Sequence, residues 1–177
     1  MTDLAAVAAL GRKLEDDEID VFIANAGAMT ASPYMKAGAI DEAGWLQDFR
    51  VNAIAPLACA AAFLKPVARS RERKMVAISS GVGSIAGNST GGKYAYRSSK
   101  AALNAAWHSF AVDHPEVIVA LLVPGPLRTD ITRYDPGRWP TLPEPAGNIA
   151  GLRKVIAGLT PADSGGFFRF DGATVPW

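Results

Sequence analysis

The residues of this chain that could do chemistry are few, and their spacing is informative. Tyr96 and Lys100 stand four residues apart within Tyr94 to Asp113, a stretch of good helix formers without proline, so on a helix they share one face. An ammonium beside a phenol favours the phenolate and lowers the tyrosine pKa from its ordinary value of about 10. Such a pair is a usable general acid or base closer to neutral pH. Ser80, brought alongside from the end of another element, can hydrogen-bond a substrate oxygen. The three together could move a proton to or from an alcohol or carbonyl oxygen. Each piece alone has a plainer reading. Tyr-x-x-x-Lys is an ordinary surface pair, Asn25-Ala26-Gly27 a turn, Asn52 a polar residue at a helix kink, and Pro124-Gly125 the punctuation after a strand.

The elements that must position these residues alternate in type. Asp3 to Leu14 is a short amphipathic stretch, with Leu4, Val7, Leu10 and Leu14 at helical spacing. Val21 to Ala24 reads as a buried strand ending at Asn25-Ala26-Gly27. Asp41 can cap a long helix from Glu42 towards Ala68, kinked by Pro56. Met75 to Ile78 is a second strand, followed by Ser79-Ser80-Gly81 and a loop to Lys93. After the Tyr94 helix, Val117 to Val123 is a third strand, ended by Pro124-Gly125-Pro126-Leu127-Arg128-Thr129. A proline-rich loop covers Asp135 to Pro145, Asn148 to Gly158 forms another helix, and Phe167 to Phe170 a last strand. Near-continuous apolar strands alternating with helices predict an α/β fold, a doubly wound parallel sheet in a three-layer αβα arrangement. Ligands of such sheets sit at the carboxyl ends of the strands. Every unusual motif here follows a strand or opens the helix behind one.

Taken in order, Asn-Ala-Gly, Ser, Tyr-x-x-x-Lys and Pro-Gly-x-x-x-Thr resemble the pattern of the short-chain dehydrogenases/reductases, strongly from Asp3 to Asp130 and more loosely beyond. The tail, Gly158 to Gly165 and Val175-Pro176-Trp177, is similar to the C-factor-like branch, which contains a myxobacterial cell-contact signalling protein. The resemblance implies a Rossmann-like fold and an oxidoreductase that uses NAD or NADP on a small-molecule alcohol or carbonyl compound. It implies Tyr96 as acid/base, Lys100 as the residue that lowers its pKa and binds the nicotinamide ribose, and Ser80 as the group orienting the substrate oxygen. Asn52 would hold a water in a proton relay. Pro124, Gly125 and Thr129 match the nicotinamide-side loop, and Asn25, Ala26 and Gly27 the motif that steadies the central sheet beside the cofactor. The C-factor-like branch adds a rival, a non-catalytic signalling or binding protein.

Two phosphate-loop look-alikes are set aside. Gly81 to Ala86 roughly fits G-x-G-x-x-A, but more loop follows it. Gly87 to Lys93 nearly fits G-x-x-x-x-G-K, but Tyr94 stands where Mg²⁺ binding needs Ser or Thr. His108 and His114 form no metal spacing and read as surface residues, so no metal site is expected. Cys59, the single cysteine, lies in an alanine run and reads as a buried inert thiol. The net charge of +1 gives no basic surface for nucleic acid. The start has no basic n-region, and the longest apolar run, Ile54 to Leu64, is short of the roughly 20 residues that span a bilayer, so a cytoplasmic protein with no membrane partner is expected.

The resemblance also predicts a Gly-rich pyrophosphate turn upstream of Asn25, where the sequence supplies one helix and one strand, and Met1-Thr2-Asp3 matches the end of the family's third strand. Residues 1–177 are therefore expected to be a single, N-terminally incomplete Rossmann-like domain. Its Val21 to Ala24 strand would lie at the sheet edge and promote homo-oligomers.

Overall fold

The computed structural model of the chain describes residues 2–177; Met1, and its match to the family's strand end, lie outside them. Four parallel strands, β1 (Val21–Ala24), β2 (Lys74–Ile78), β3 (Ile118–Val123) and β4 (Gly166–Arg169), form one sheet in sequential order. They are joined by helices: α1 (Leu4–Lys13) precedes β1, α2 (Glu42–Phe49) and α3 (Ala55–Arg69) link β1 to β2, α4 (Tyr94–Asp113) links β2 to β3, and α5 (Pro145–Gly158) links β3 to β4. The expected parallel three-layer architecture is what the chain adopts.

The pleat sorts the strand residues onto two faces. Phe22, Met75, Ala77, Val119, Leu121 and Phe167 point to one side, where α3 and α4 cover them with Ala60, Val67, Leu103, Trp107 and Phe110. Val76, Ala120 and Leu122 point to the other, where Leu152 and Val155 of α5 and the following Leu159 cover them. Cys59 is buried, and burial pushes its thiol pKa up, as an inert core cysteine requires.

Three local outcomes differ from expectation. The long helix is interrupted not at Pro56 but just upstream, by a π-helical turn at Arg50–Ile54 that separates α2 from α3. Pro56 has no N–H to offer the carbonyl of Asn52, and the wider turn absorbs that mismatch. Read as one piece, Glu42–Arg69 is long and apolar enough to cross a bilayer, yet it is a layer of this fold and carries the buried Asp48 and Asn52. Third, α1 turns its small-residue side inward. A Cβ on Gly11 would fall 2.5 Å from the Ala62 carbonyl oxygen, so α1 meets α3 at backbone distance, and Leu4 and Leu10 of the expected inward stripe are exposed.

Candidate active site

The carboxyl ends of the strands open into a cleft of about 850 Å³. Asn25 and Gly27 after β1, Ser80 after β2, Tyr96 and Lys100 on the first turns of α4, and Pro124, Gly125 and Thr129 after β3 all line it. Helix α4 is what makes this convergence possible. Its second turn brings Lys100 to the end of β2, and its buried Leu103 and Trp107 share one core cluster with Met75, Ala77, Val119 and Leu121 of the sheet.

Lys100 is buried, and its Nζ donates a hydrogen bond to the Ile78 carbonyl oxygen at 2.9 Å. Burial pulls its pKa down to about 8. Tyr96 is half-buried beside Ser80. Burial pushes the phenol pKa up to about 12, the Ser80 hydrogen bond pulls the other way, and the nearby Asp48 and Tyr134 push it further up. The expected depression of the Tyr96 pKa by Lys100 is thus not what governs the site. The ammonium is turned to a main-chain carbonyl, and desolvation of the phenolate wins. At neutral pH Tyr96 is a phenol, a proton donor, and Lys100 an ammonium.

Asn52 is fully buried on the π-helical turn, and its side chain is committed to structure. Nδ2 donates to the Ala28 carbonyl oxygen at 2.7 Å and to Ser99 Oγ at 2.9 Å, while Oδ1 accepts from the Ala28 amide at 2.8 Å. Both amide hydrogens are used, so a water could be held only through the remaining lone pair of Oδ1. Asn52 thereby ties the Asn25-Ala26-Gly27 turn to α4.

The loop after β3 is equally fixed. Gly125 has φ +78°, and Asn148 Nδ2 donates to the Pro124 carbonyl oxygen at 2.6 Å. Thr129 caps a short 3₁₀ turn, Asp130–Thr132, and its carbonyl accepts from Trp139 Nε1 at 3.1 Å.

The residues present fit the nicotinamide-ribose half of a dinucleotide. Of the three N–H bonds of buried Lys100, one is used on Ile78, leaving donors for ribose hydroxyls. Gly27 keeps that space open, since a Cβ there would stand 3.5 Å from Nζ and 3.6 Å from Asn52 Oδ1. Among the described residues no Gly-rich turn opens a helix for a pyrophosphate. Gly81–Gly83 after β2 forms only a 3₁₀ turn.

Several cleft residues were not visible in the motifs. Met29, Lys93 and Tyr134 line the cleft from three separate loops. Asp48, one turn before Asn52, is fully buried. Its Oδ1 accepts from the Thr30 amide at 2.6 Å, its Oδ2 has no partner among the described residues, and burial raises its pKa. The only sequence signal for it was its position four residues before Asn52 on a helix. His108 and His114 lie away from the cleft, His108 against the Gly165 carbonyl oxygen and His114 against Glu116. No metal-ligating cluster occurs among the described residues.

The sequence profile of the short chain dehydrogenases matches residues 1–137. The chain belongs to the short-chain dehydrogenase family. This short-chain dehydrogenase is 40% identical over 161 residues to the C-signal of Myxococcus xanthus, covering 90% of the chain and 93% of that protein. Among solved structures it resembles the carbonyl reductase Sniffer of D. melanogaster, with 30% identity, a TM-score of 0.83, and coverage of 99% of this chain and 75% of that one. It also resembles a short-chain dehydrogenase/reductase from Burkholderia multivorans with bound NADP, with 26% identity, a TM-score of 0.84, and coverage of 99% and 74%.

Proposed function

We propose that this oxidoreductase-family protein reduces a carbonyl group with NADH or NADPH. The observation that carries the reading is the convergence of Ser80, Tyr96 and Lys100 in one cleft at the carboxyl ends of the sheet, with Tyr96 held as a phenol. The likeness to a carbonyl reductase and to an NADP-bound relative supports it.

In this mechanism Ser80 hydrogen-bonds the substrate carbonyl oxygen and holds it against Tyr96. A nicotinamide cofactor, when bound, would supply hydride chemistry at the carbonyl carbon. The Tyr96 phenol gives its proton to the oxygen as negative charge develops there. Lys100, as an ammonium, would hold the ribose hydroxyls with the N–H bonds it does not spend on the Ile78 carbonyl oxygen. Asn52 and the Pro124 loop hold the two sides of the cleft at fixed separation. The overall change is carbonyl plus NAD(P)H plus a proton to alcohol plus NAD(P)⁺. The nicotinamide-ribose end is provided for, but no pyrophosphate turn is seen among the described residues. Weak binding of NADH and NADPH is therefore expected, and titration calorimetry giving a micromolar Kd for either would overturn that expectation. Reduction is to be assayed with millimolar NADPH on small aldehydes. The rate should fall as pH rises through about 8, where Lys100 loses its proton; a rate that climbs through that window would contradict the assignment.

We further propose a homo-oligomer, because Val21 and Ile23 on one face of the edge strand β1 are exposed. The likeness to the C-signal supports a second reading, a non-catalytic signalling or binding role. Absence of turnover with every aldehyde tested at millimolar NADH and NADPH would favour it.

A further inference from the structure

The cleft contains a cation that the proton-transfer chemistry does not use. Lys93 lines it and immediately precedes α4, so its side chain stands next to the turn that carries Tyr96. The charged neighbours along the same wall are mostly occupied. Asp130 pairs with Arg133 at 3.2 Å, Asp135 Oδ1 accepts from the Arg138 amide at 3.1 Å, Arg169 pairs with Asp171, and Lys100 is turned to Ile78. Among the described residues Lys93 makes no ion pair. Its ammonium lies instead 4.9 Å from the centre of the Tyr134 ring, and Tyr134 is close enough to Tyr96 to act on its titration. Arg138, exposed at the rim, and Lys100, committed to the Ile78 carbonyl, are the other cleft cations without an acid partner among the described residues.

The backbone presents Lys93 deliberately. Gly91, Gly92 and Lys93 are three consecutive left-handed residues, with φ of +62°, +66° and +51°. Glycine takes this conformation without strain, while a lysine is strained in it. Non-glycine residues held this way concentrate at ligand clamps. Here the surroundings enforce it. The Arg97 guanidinium donates to the Gly91, Gly92 and Val82 carbonyl oxygens and to Thr90 Oγ1, at 2.7 to 3.3 Å, and the Arg97 amide donates to the Lys93 carbonyl oxygen at 2.8 Å. The loop is fixed before any ligand arrives, so the backbone that carries Lys93 has little freedom left to lose on binding.

We propose that Lys93 is the specificity-determining residue of the cleft and selects carbonyl substrates that carry a carboxylate. The substrate's aldehyde or ketone oxygen sits between Ser80 and Tyr96. Its carboxylate reaches the Lys93 ammonium, and the apolar part between them lies against the Tyr134 ring. This rests on the carbonyl-reductase reading for which end of the substrate faces Tyr96, but the ammonium–carboxylate contact is a binding event that can be measured without turnover.

The test compares 4-formylbenzoate with its methyl ester, which differ in one negative charge. Their dissociation constants are measured by saturation-transfer NMR on the full chain with millimolar NADP⁺, under which no reduction occurs. Wild type should bind the acid more tightly than the ester by about tenfold or more, the usual worth of a hydrogen-bonded charge in a partly buried site. That ratio should collapse in Lys93→Met, persist in Lys93→Arg, and change little in Arg138→Met. No preference in wild type, a preference that survives Lys93→Met, or one that disappears with Arg138→Met instead would overturn the proposal. Turnover with NADPH is read separately. An intact acid preference without reduction of either aldehyde would sink the oxidoreductase reading and leave Lys93 as the anion site.

Discussion

Strands β1 and β2 lie side by side in register, with Phe22 opposite Met75 and Ile23 opposite Val76, and both are short apolar runs. Their surroundings differ sharply. Met75 and Val76 are fully buried, one under α3 and α4 and the other under α5. In β1 only the α3 side is covered. Phe22 stacks on Phe63 with ring centres 5.5 Å apart, while Val21 and Ile23, on the face that α5 does not reach, are 36% and 45% exposed. Strand composition therefore specifies strand, but the helix overhead decides how much each side chain contributes. The cleft sits across this divide, with its proton-transferring residues on the buried part and the Asn25–Gly27 turn at the end of the half-covered strand.

The largest expected effect sharpens that contrast. Met75→Ala should cost about 2–5 kcal/mol in urea unfolding, as for a core methionine emptied into a packed interior, whereas Ile23→Ala should cost less than about 1 kcal/mol. Similar losses at both sites would mean that something covers β1. Next, Gly11→Val should destabilise by about 1–3 kcal/mol, because the added carbons meet the Ala62 carbonyl and force α1 off α3. An unchanged unfolding curve would show that this helix contact is dispensable. A smaller effect in stability, though not in solution behaviour, is expected of Val21→Lys with Ile23→Lys. Light scattering across concentration should show wild type self-associating through this apolar edge and the double variant remaining monomeric. Phe22 is the wrong site for such a charge, because it faces the core. A monomeric wild type with high-temperature cooperative unfolding would remove the argument from the bare face.

The smallest effect concerns Asp48. Its folded-state pKa is raised, so the folded protein holds that proton more tightly than the unfolded chain. The stability this contributes is complete at low pH and is lost as pH rises through the folded pKa. Relative to Asp48→Asn, wild type should therefore lose ground as pH rises above the ordinary aspartate pKa of about 4. The opposite slope in paired melting curves would mean that the carboxylate has a partner that stabilises its charge.

Where one periodicity and one partner act, the structure could be read from the sequence. Val21 to Ala24 and Tyr94 to Asp113 end where the residue pattern ends, because the Asn-Ala-Gly turn stops the first and the loop around His114 the second. Ser80, Tyr96, Lys100, Pro124 and Thr129 were placed by motif order, and the cleft gathers them. What was hidden depended on which face another element covers. The leucines of α1 are spaced like a core stripe, yet Gly11 is the residue that meets α3. Asn52 was legible as a motif residue but not as a clasp, since its partners Ala28 and Ser99 are 24 and 47 residues away. Lys93 stood out only as the end of a phosphate-loop look-alike, because the role proposed for it depends on a left-handed backbone and on Tyr134, which arrives from a distant loop.

The account stands or falls on the Tyr96 phenol as proton donor. The direct measurement is kcat/KM for reduction of an aldehyde at millimolar NADPH by Tyr96→Phe beside wild type, with melting temperatures taken in parallel. Phe keeps the ring and removes the proton, so activity should drop by about 10²–10⁴-fold while the melting temperature holds. A Tyr96→Phe protein that keeps more than about a tenth of the wild-type rate would contradict the account, because a positioned proton donor contributes more than that.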